Sequence, residues 1–212
     1  MSGKFISDWS RPNNASLSQN IRDKLHPVPF RDRLSQTIFR LNSVRKKLEN
    51  SHLKMEQKHK TLFHKTVQAQ EAKNSTTAVM YANECAQVRK MAQSVVASQL
   101  ALEQVVLRLE TVTDFGDIAA EIGPTASIVR AVRGRLAGVV PEVSMQLGSI
   151  SQTLDSLVLE TGQATEYSWS SIASGEEAEK ILAEAGTVAE QKIRDGFPEL
   201  PSTAAEKGLR PL

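Results

Sequence analysis

Four cations stand seven residues apart in this chain: Arg33, Arg40, Lys47 and Lys54. On a helix that spacing draws them into one nearly straight row. A row of fixed positive charge suits a flat, extended polyanion such as an anionic bilayer better than a point ligand. Each cation held near such a surface adds on the order of 1 kcal/mol, so several together decide binding. Lys46, Lys58, Lys60 and Lys65 widen the basic surface. The same row can instead pair with acids on a neighbouring helix, or follow a nucleic-acid backbone. Against nucleic acid, the segment has few aromatics to stack on bases and no recognised binding motif. His52, His59 and His64 raise metal chemistry. Their spacing does not place all three on one helical face, and no carboxylate or thiolate cluster joins them, so no metal site is expected. The single Cys85 cannot form an intrachain disulfide, fits a reducing compartment, and reads as a small hydrophobe on a helix seam.

What must position these groups is a pair of heptad-patterned segments from Phe30 to Thr113. In the first, Leu34, Leu41, Leu48, Met55, Leu62 and Ala69 recur every seven residues. In the second, Tyr81, Cys85, Val88, Ala92, Val95, Leu102, Val106 and Leu109 keep a four–three alternation that Gln99 alone interrupts. Sustained 3.5-residue periodicity predicts two long helices sharing a seam. The short polar break Lys73-Asn74-Ser75-Thr76 makes them antiparallel neighbours. A first helix of about 40 residues is ~60 Å long, a rod without a deep pocket. The remaining seam positions of that helix are Ile38, then Arg45, His52, His59 and Thr66. A seam half polar leaves room for a third helix or a partner chain.

The rest of the chain divides around this hairpin. Residues 1–29 are a lead in which Phe5, Ile6 and Trp9 cluster beside Lys4 and Arg11. Leu17, Ile21 and Leu25 form a short stripe with Asn14 as its cap, ahead of Pro27 and Pro29. The lead reads either as an amphipathic membrane anchor or as an arm that docks on the rod or on a neighbouring subunit. The helical core is expected over 30–172, with the hairpin at 30–113 and shorter helices at 114–172. Gly116, the helix-breaking pair Gly123-Pro124, and Pro141 at a helix start are its joints. Such joints allow either a conformational switch or a fixed bundle. An acidic helix is expected over 173–195, with Ser174 and Glu177 as a capping box. Its outer acids Glu176, Glu177, Glu179, Glu184 and Glu190 could lie against the basic hairpin and block it. Residues 196–212 form a proline-containing tail in which Phe197, Pro198, Leu200 and Pro201 make an extended peptide fit for a groove.

Totals bound the function. The net charge is only +2. Yet residues 1–90 hold 17 Lys/Arg against 7 Asp/Glu, and residues 91–212 hold 9 against 17. The halves can attract each other, or the first can seek an anionic surface. With aromatics at 5% and almost no segment alternating with period two, an all-α protein is expected. No stretch approaches the ~18 apolar residues of a membrane span, and no secretory leader is recognisable. A cytoplasmic protein with peripheral membrane contact is expected. No phosphate-cradling glycine loop, H-E-x-x-H, C-x-x-C or G-x-S-x-G occurs, so neither enzyme nor cofactor chemistry is expected.

These segments also carry a family resemblance. The run Met80-Tyr-Ala-Asn-Glu-Cys-Ala-Gln-Val-Arg-Lys-Met91 and its continuation Ala101-Leu-Glu-Gln-Val-Val-Leu-Arg-Leu-Glu-Thr111 are similar to archaeal ESCRT-III proteins of the Cdv cell-division system. Pro27-Val-Pro-Phe-Arg-Asp-Arg-Leu34 and the Leu136–Leu157 segment also resemble that family, and the likeness covers most of residues 27–160. The resemblance implies a basic hairpin followed by shorter helices that fold back or extend. It implies a subunit that switches from a closed monomer to a form polymerising, with paralogous subunits, on the cytosolic face of a membrane, where it constricts and cuts necks. It further implies a separate AAA-type ATPase that grips a C-terminal motif, here Phe197-Pro198-Glu199-Leu200-Pro201, with Ala204 departing from the longer proline pattern. No winged-helix unit of the kind some members carry is expected after the core. A soluble coiled-coil adaptor and a bacterial-type membrane-stress hairpin are the alternatives.

Overall fold

Leu34, Leu41, Val44 and Leu48 lose essentially all contact with solvent on one side of a helix whose other side is cationic. In the computed structural model, which describes residues 30–115, 118–160 and 167–198 (side chains outside 112–121 and 167–174), every major element is an α-helix. Helix α1 spans Phe30–Glu71 and α2 spans Ser75–Phe115. At 1.5 Å per residue the 42 residues of α1 reach about 63 Å. The two pack as an antiparallel pair. Val88, Ala92, Val95, Leu102, Val106 and Leu109 supply the α2 side of the seam, as the four–three alternation predicts.

Backbone chemistry makes the turn between them. The Asn74 N–H donates to the Ala69 carbonyl (2.9 Å) and the Lys73 N–H to Gln70 (2.9 Å). With Lys73 at φ 55°, this is a Schellman closure of α1. Asn74 then caps α2: its Oδ1 accepts from the Thr77 N–H at 3.2 Å.

Three further helices fold back on the half of the hairpin away from this turn. Helix α3 covers Ile118–Leu136, α4 Pro141–Glu160 and α5 Tyr167–Gly196. Helix α4 packs on α1 and α3, and α5 packs on α2 and α3. Their apolar faces (Ile122, Ile128, Val132 and Leu136; Val143, Leu147, Ile150 and Leu154; Ala178, Ile181, Leu182 and Ala185) join Leu34, Leu41, Leu102 and Leu109 in one core. Burying each Leu or Ile contributes roughly 1.5–3 kcal/mol relative to exposure. Nearer the turn the buried set is poorer: Thr66, Ala69, Ala78 and Cys85.

Two sequence expectations are corrected here. Gly123-Pro124 does not break the chain, because α3 runs through it. Proline removes one ladder hydrogen bond, but Thr125, Ala126, Ile128 and Val129 beside it are fully buried and hold the segment helical. The Ser127 hydroxyl donates to the Gly123 carbonyl at 3.4 Å. Nor does Ser174 cap a helix. Helix α5 begins at Tyr167, so the boundary expected at 172–173 lies within one helix. Pro141 does open α4 after the turn at 137–140. There the Ser144 hydroxyl donates to the Arg133 carbonyl at 3.0 Å and ties the end of α3 to α4. Gly116 lies outside the described residues, as do Phe5, Ile6, Trp9 and the short stripe at 17–25.

Candidate functional site

Helix α1 carries ten Lys and Arg against four Asp and Glu, and most of these cations point away from α2. The heptad row splits in the folded chain. Arg33 is half-buried and pairs with Glu160 at the end of α4. Lys47 donates to Glu142 at the start of α4, 2.8 Å away. The ammonium of Lys47 holds the Glu142 carboxyl below the usual carboxylate range. Helix α4 is thus pinned antiparallel along the first half of α1 by one pair at each end. Arg40, between the pairs, stays exposed and lines a shallow groove with Phe39, Ser43, Gln146 and Ser149. Lys54 lies past the end of α4 and is exposed.

The open face of α1 is centred beside that row. Phe39, Lys46, Leu53 and Lys60 repeat every seven residues on it, all exposed. Phe39 is 76% and Leu53 49% exposed. Lys60 donates to Glu56 one turn back at 2.6 Å. An exposed ladder alternating large apolar and cationic side chains, flanked by Arg40, Lys54 and Lys58, pairs charge attraction with groups able to enter an apolar layer. Phe39 and Leu53 carry no weight in the sequence reading above. The available signal was their two-heptad spacing off the buried seam.

A second cluster forms where α5 ends. Phe197 is buried, 1% exposed, among Ala92, Val96, Ala97, Ala189 and Ile193. Its ring lies 4.8 Å from that of His59, edge to face, and 6.0 Å from that of His52. This corrects the expectation of a loose peptide starting at Phe197: the aromatic fills the gap left by the polar seam of α1. Pro198 is exposed; Leu200 and Pro201 lie outside the described residues. The acidic helix does lie against the hairpin, but on its α2 arm and on α3, with Glu177 on Arg108 at 2.7 Å; it is α4 that borders the cationic row of α1. Burial pushes both His52 and His59 below the ordinary histidine range. His64 is exposed, beside Phe63 and away from the other two. Among the described residues no group of His, Cys, Asp or Glu is placed to hold a metal. Cys85 is buried, its thiol 3.9 Å from the His59 carbonyl, and burial raises its pKa. Among the described residues no helix is long and apolar enough to cross a membrane.

Cell division protein B1 of Sulfolobus acidocaldarius is 40% identical to this chain over 185 residues, 87% of the chain and 86% of the relative. The chain belongs to the archaeal cell division protein B family, the ESCRT-III-like proteins of the Cdv system. Cell division protein B of the same organism is 28% identical over 184 residues, 87% of this chain and 70% of that protein. No family model and no solved structure matches. The Met80–Met91 and Ala101–Thr111 runs that carried the resemblance lie within α2, the arm of the hairpin onto which α5 folds. Membership supports a role in archaeal cell division.

Proposed function

We propose that this Cdv-family chain is a non-enzymatic, filament-forming subunit that polymerises with its own copies and paralogues on the cytosolic face of the membrane at the division site, and there constricts and cuts the neck. The observation that carries this reading is the open face of α1, where Phe39 and Leu53 stand exposed in a field of lysines and Arg40. Anionic headgroups meet the cations while the two apolar side chains enter the interface. The joints flanking α3 allow α4 and α5 to leave the hairpin and uncover further surface for subunit stacking. A separate AAA-type ATPase engages the tail around Pro198, Leu200 and Pro201. The N-terminal Phe5, Ile6 and Trp9 add an anchor.

Co-sedimentation with anionic and neutral vesicles, followed by negative-stain imaging of the pellet, tests the reading. The wild type is expected to pellet with anionic vesicles as filaments or coated tubes. Replacing Arg40, Lys46 and Lys54 with Gln removes three cations. At about 1 kcal/mol each, that should weaken binding roughly a hundredfold. A triple variant that binds anionic vesicles like the wild type would sink the assignment of this face. A second reading has its own observation: Arg33 and Lys47 are already satisfied by acids of α4, as in a soluble coiled-coil adaptor. That reading predicts a fixed oligomer by light scattering, indifferent to vesicles.

A further inference from the structure

The end of α5 is held by an unusual group of rings. Phe197 sits between two histidines of α1, with Phe63 beside His59 at a ring-centroid distance of 6.5 Å. His59 is 2% exposed. The Nδ1 of His52 is buried and has no hydrogen-bond partner among the described residues. The charges facing this group come from three helices. Helix α1 contributes Glu56, which is engaged by Lys60. Helix α2 contributes Arg89, which faces His59, and the thiol of Cys85, which lies against the His59 carbonyl. Helix α5 contributes Lys192, which faces His52. Glu56 attracts a proton to His52; Lys192 and Arg89 repel one, and burial outweighs all three. Neutral imidazoles can pack on a phenyl ring as apolar bodies. A buried imidazolium needs a partner for its charge.

We propose that His52, His59 and Phe197 form a proton-released latch. With both imidazoles neutral, the latch holds the end of α5 on the hairpin; protonation drives the Phe197 ring out and releases that end from α1 and α2. The latch stands independently of the membrane-binding face, because none of its three rings belongs to that face.

The sign follows from linkage. A histidine whose pKa is lowered in the docked state binds protons more readily once undocked. Docking is therefore complete above the ordinary histidine range and weakens as pH falls through it. Each proton taken up on release raises the ratio of open to closed ends by up to about tenfold per pH unit. The face of a phenyl ring can also attract a cation. If that attraction dominated, acid would tighten the contact.

Hydrogen exchange on the full chain reads this out in peptides covering 185–198, corrected for the pH dependence of intrinsic exchange. Between about pH 7.5 and about pH 5.5, opening there should rise at least about tenfold, while peptides in the 95–106 seam hold their protection. The H52Q/H59Q variant should lose the response, and F197A should leave this end open at both pH values. An end whose protection is flat or rises toward acid in the wild type overturns the latch, as does an unchanged response in H52Q/H59Q. Because that variant can disturb packing, NMR titration of the wild-type imidazoles gives a second check. Both should titrate below free histidine, and titration of both at the free value overturns the proposal equally.

Discussion

Lys73 holds its backbone at φ 55°, the left-handed region, to close α1 and let the chain reverse. A side chain there costs roughly 1–2 kcal/mol, which glycine escapes while giving back part in chain entropy. Lys73→Gly should therefore stabilise the protein by about 0.5–1 kcal/mol, raising the thermal midpoint by ~1–4 °C. Calorimetry of the two proteins checks this; a lower midpoint would mean that the lysine side chain stabilises the turn in another way. The sequence located this turn, since a polar tetrapeptide between two heptad runs allows little else. It did not reveal the residue that bends, because lysine carries no signature of positive φ. Phe197 was misread for a related reason. A lone aromatic next to proline looks like a recognition peptide, and only the folded chain brings it beneath the two histidines that occupy polar seam positions.

At the level of elements, periodicity was a sound guide to α1 and α2, which share one seam along the hairpin. Helices α1 and α2 bury Leu34, Leu41, Leu48, Cys85, Val88, Ala92, Val95, Leu102, Val106 and Leu109 of the heptad rows, while Met55, Leu62 and Tyr81 stay half-buried. Local breakers were a poor guide where several helices meet. Helix α3, which carries Gly123-Pro124, packs on α2, α4 and α5, and that packing keeps it continuous. A proline in a helix interior is about 3 kcal/mol less favourable than alanine, partly offset by the stiffer unfolded chain. Pro124→Ala should stabilise the protein by ~1–2 kcal/mol in chemical denaturation, with an unchanged denaturant slope. A destabilised variant would show that the proline ring itself fills space the core needs. The start of α5 was hidden for the opposite reason. Serine and glycine at 174–175 look like a boundary, but neither forbids helix, and Ala178, Ile181 and Leu182 anchor the segment that follows.

For the whole molecule, the charge asymmetry between the halves is spent internally through particular pairs: Arg33 with Glu160, Lys47 with Glu142, Arg45 with Glu103. Composition announced the attraction but could not say which acidic segment would face the basic row, since α4 and α5 both carry acids. Replacing Glu142 and Glu160 with Gln should loosen α4 and release Arg33 and Lys47. Vesicle binding is then expected to increase at low salt, with little change in high salt where exposed charges are screened. Binding that falls or stays constant in that double variant would assign the two pairs to architecture alone. The buried Phe197 has a mechanical consequence. A load applied at Pro198 and directed away from the hairpin reaches Phe197 first, then Ile193, then Ala189, because α5 lies on the hairpin with its last residue foremost. Contacts loaded in series yield one after another, as in peeling, instead of sharing the force as they would in shear. The chain can thus resist thermal detachment of the whole helix and still come apart under a modest pull from its own tail.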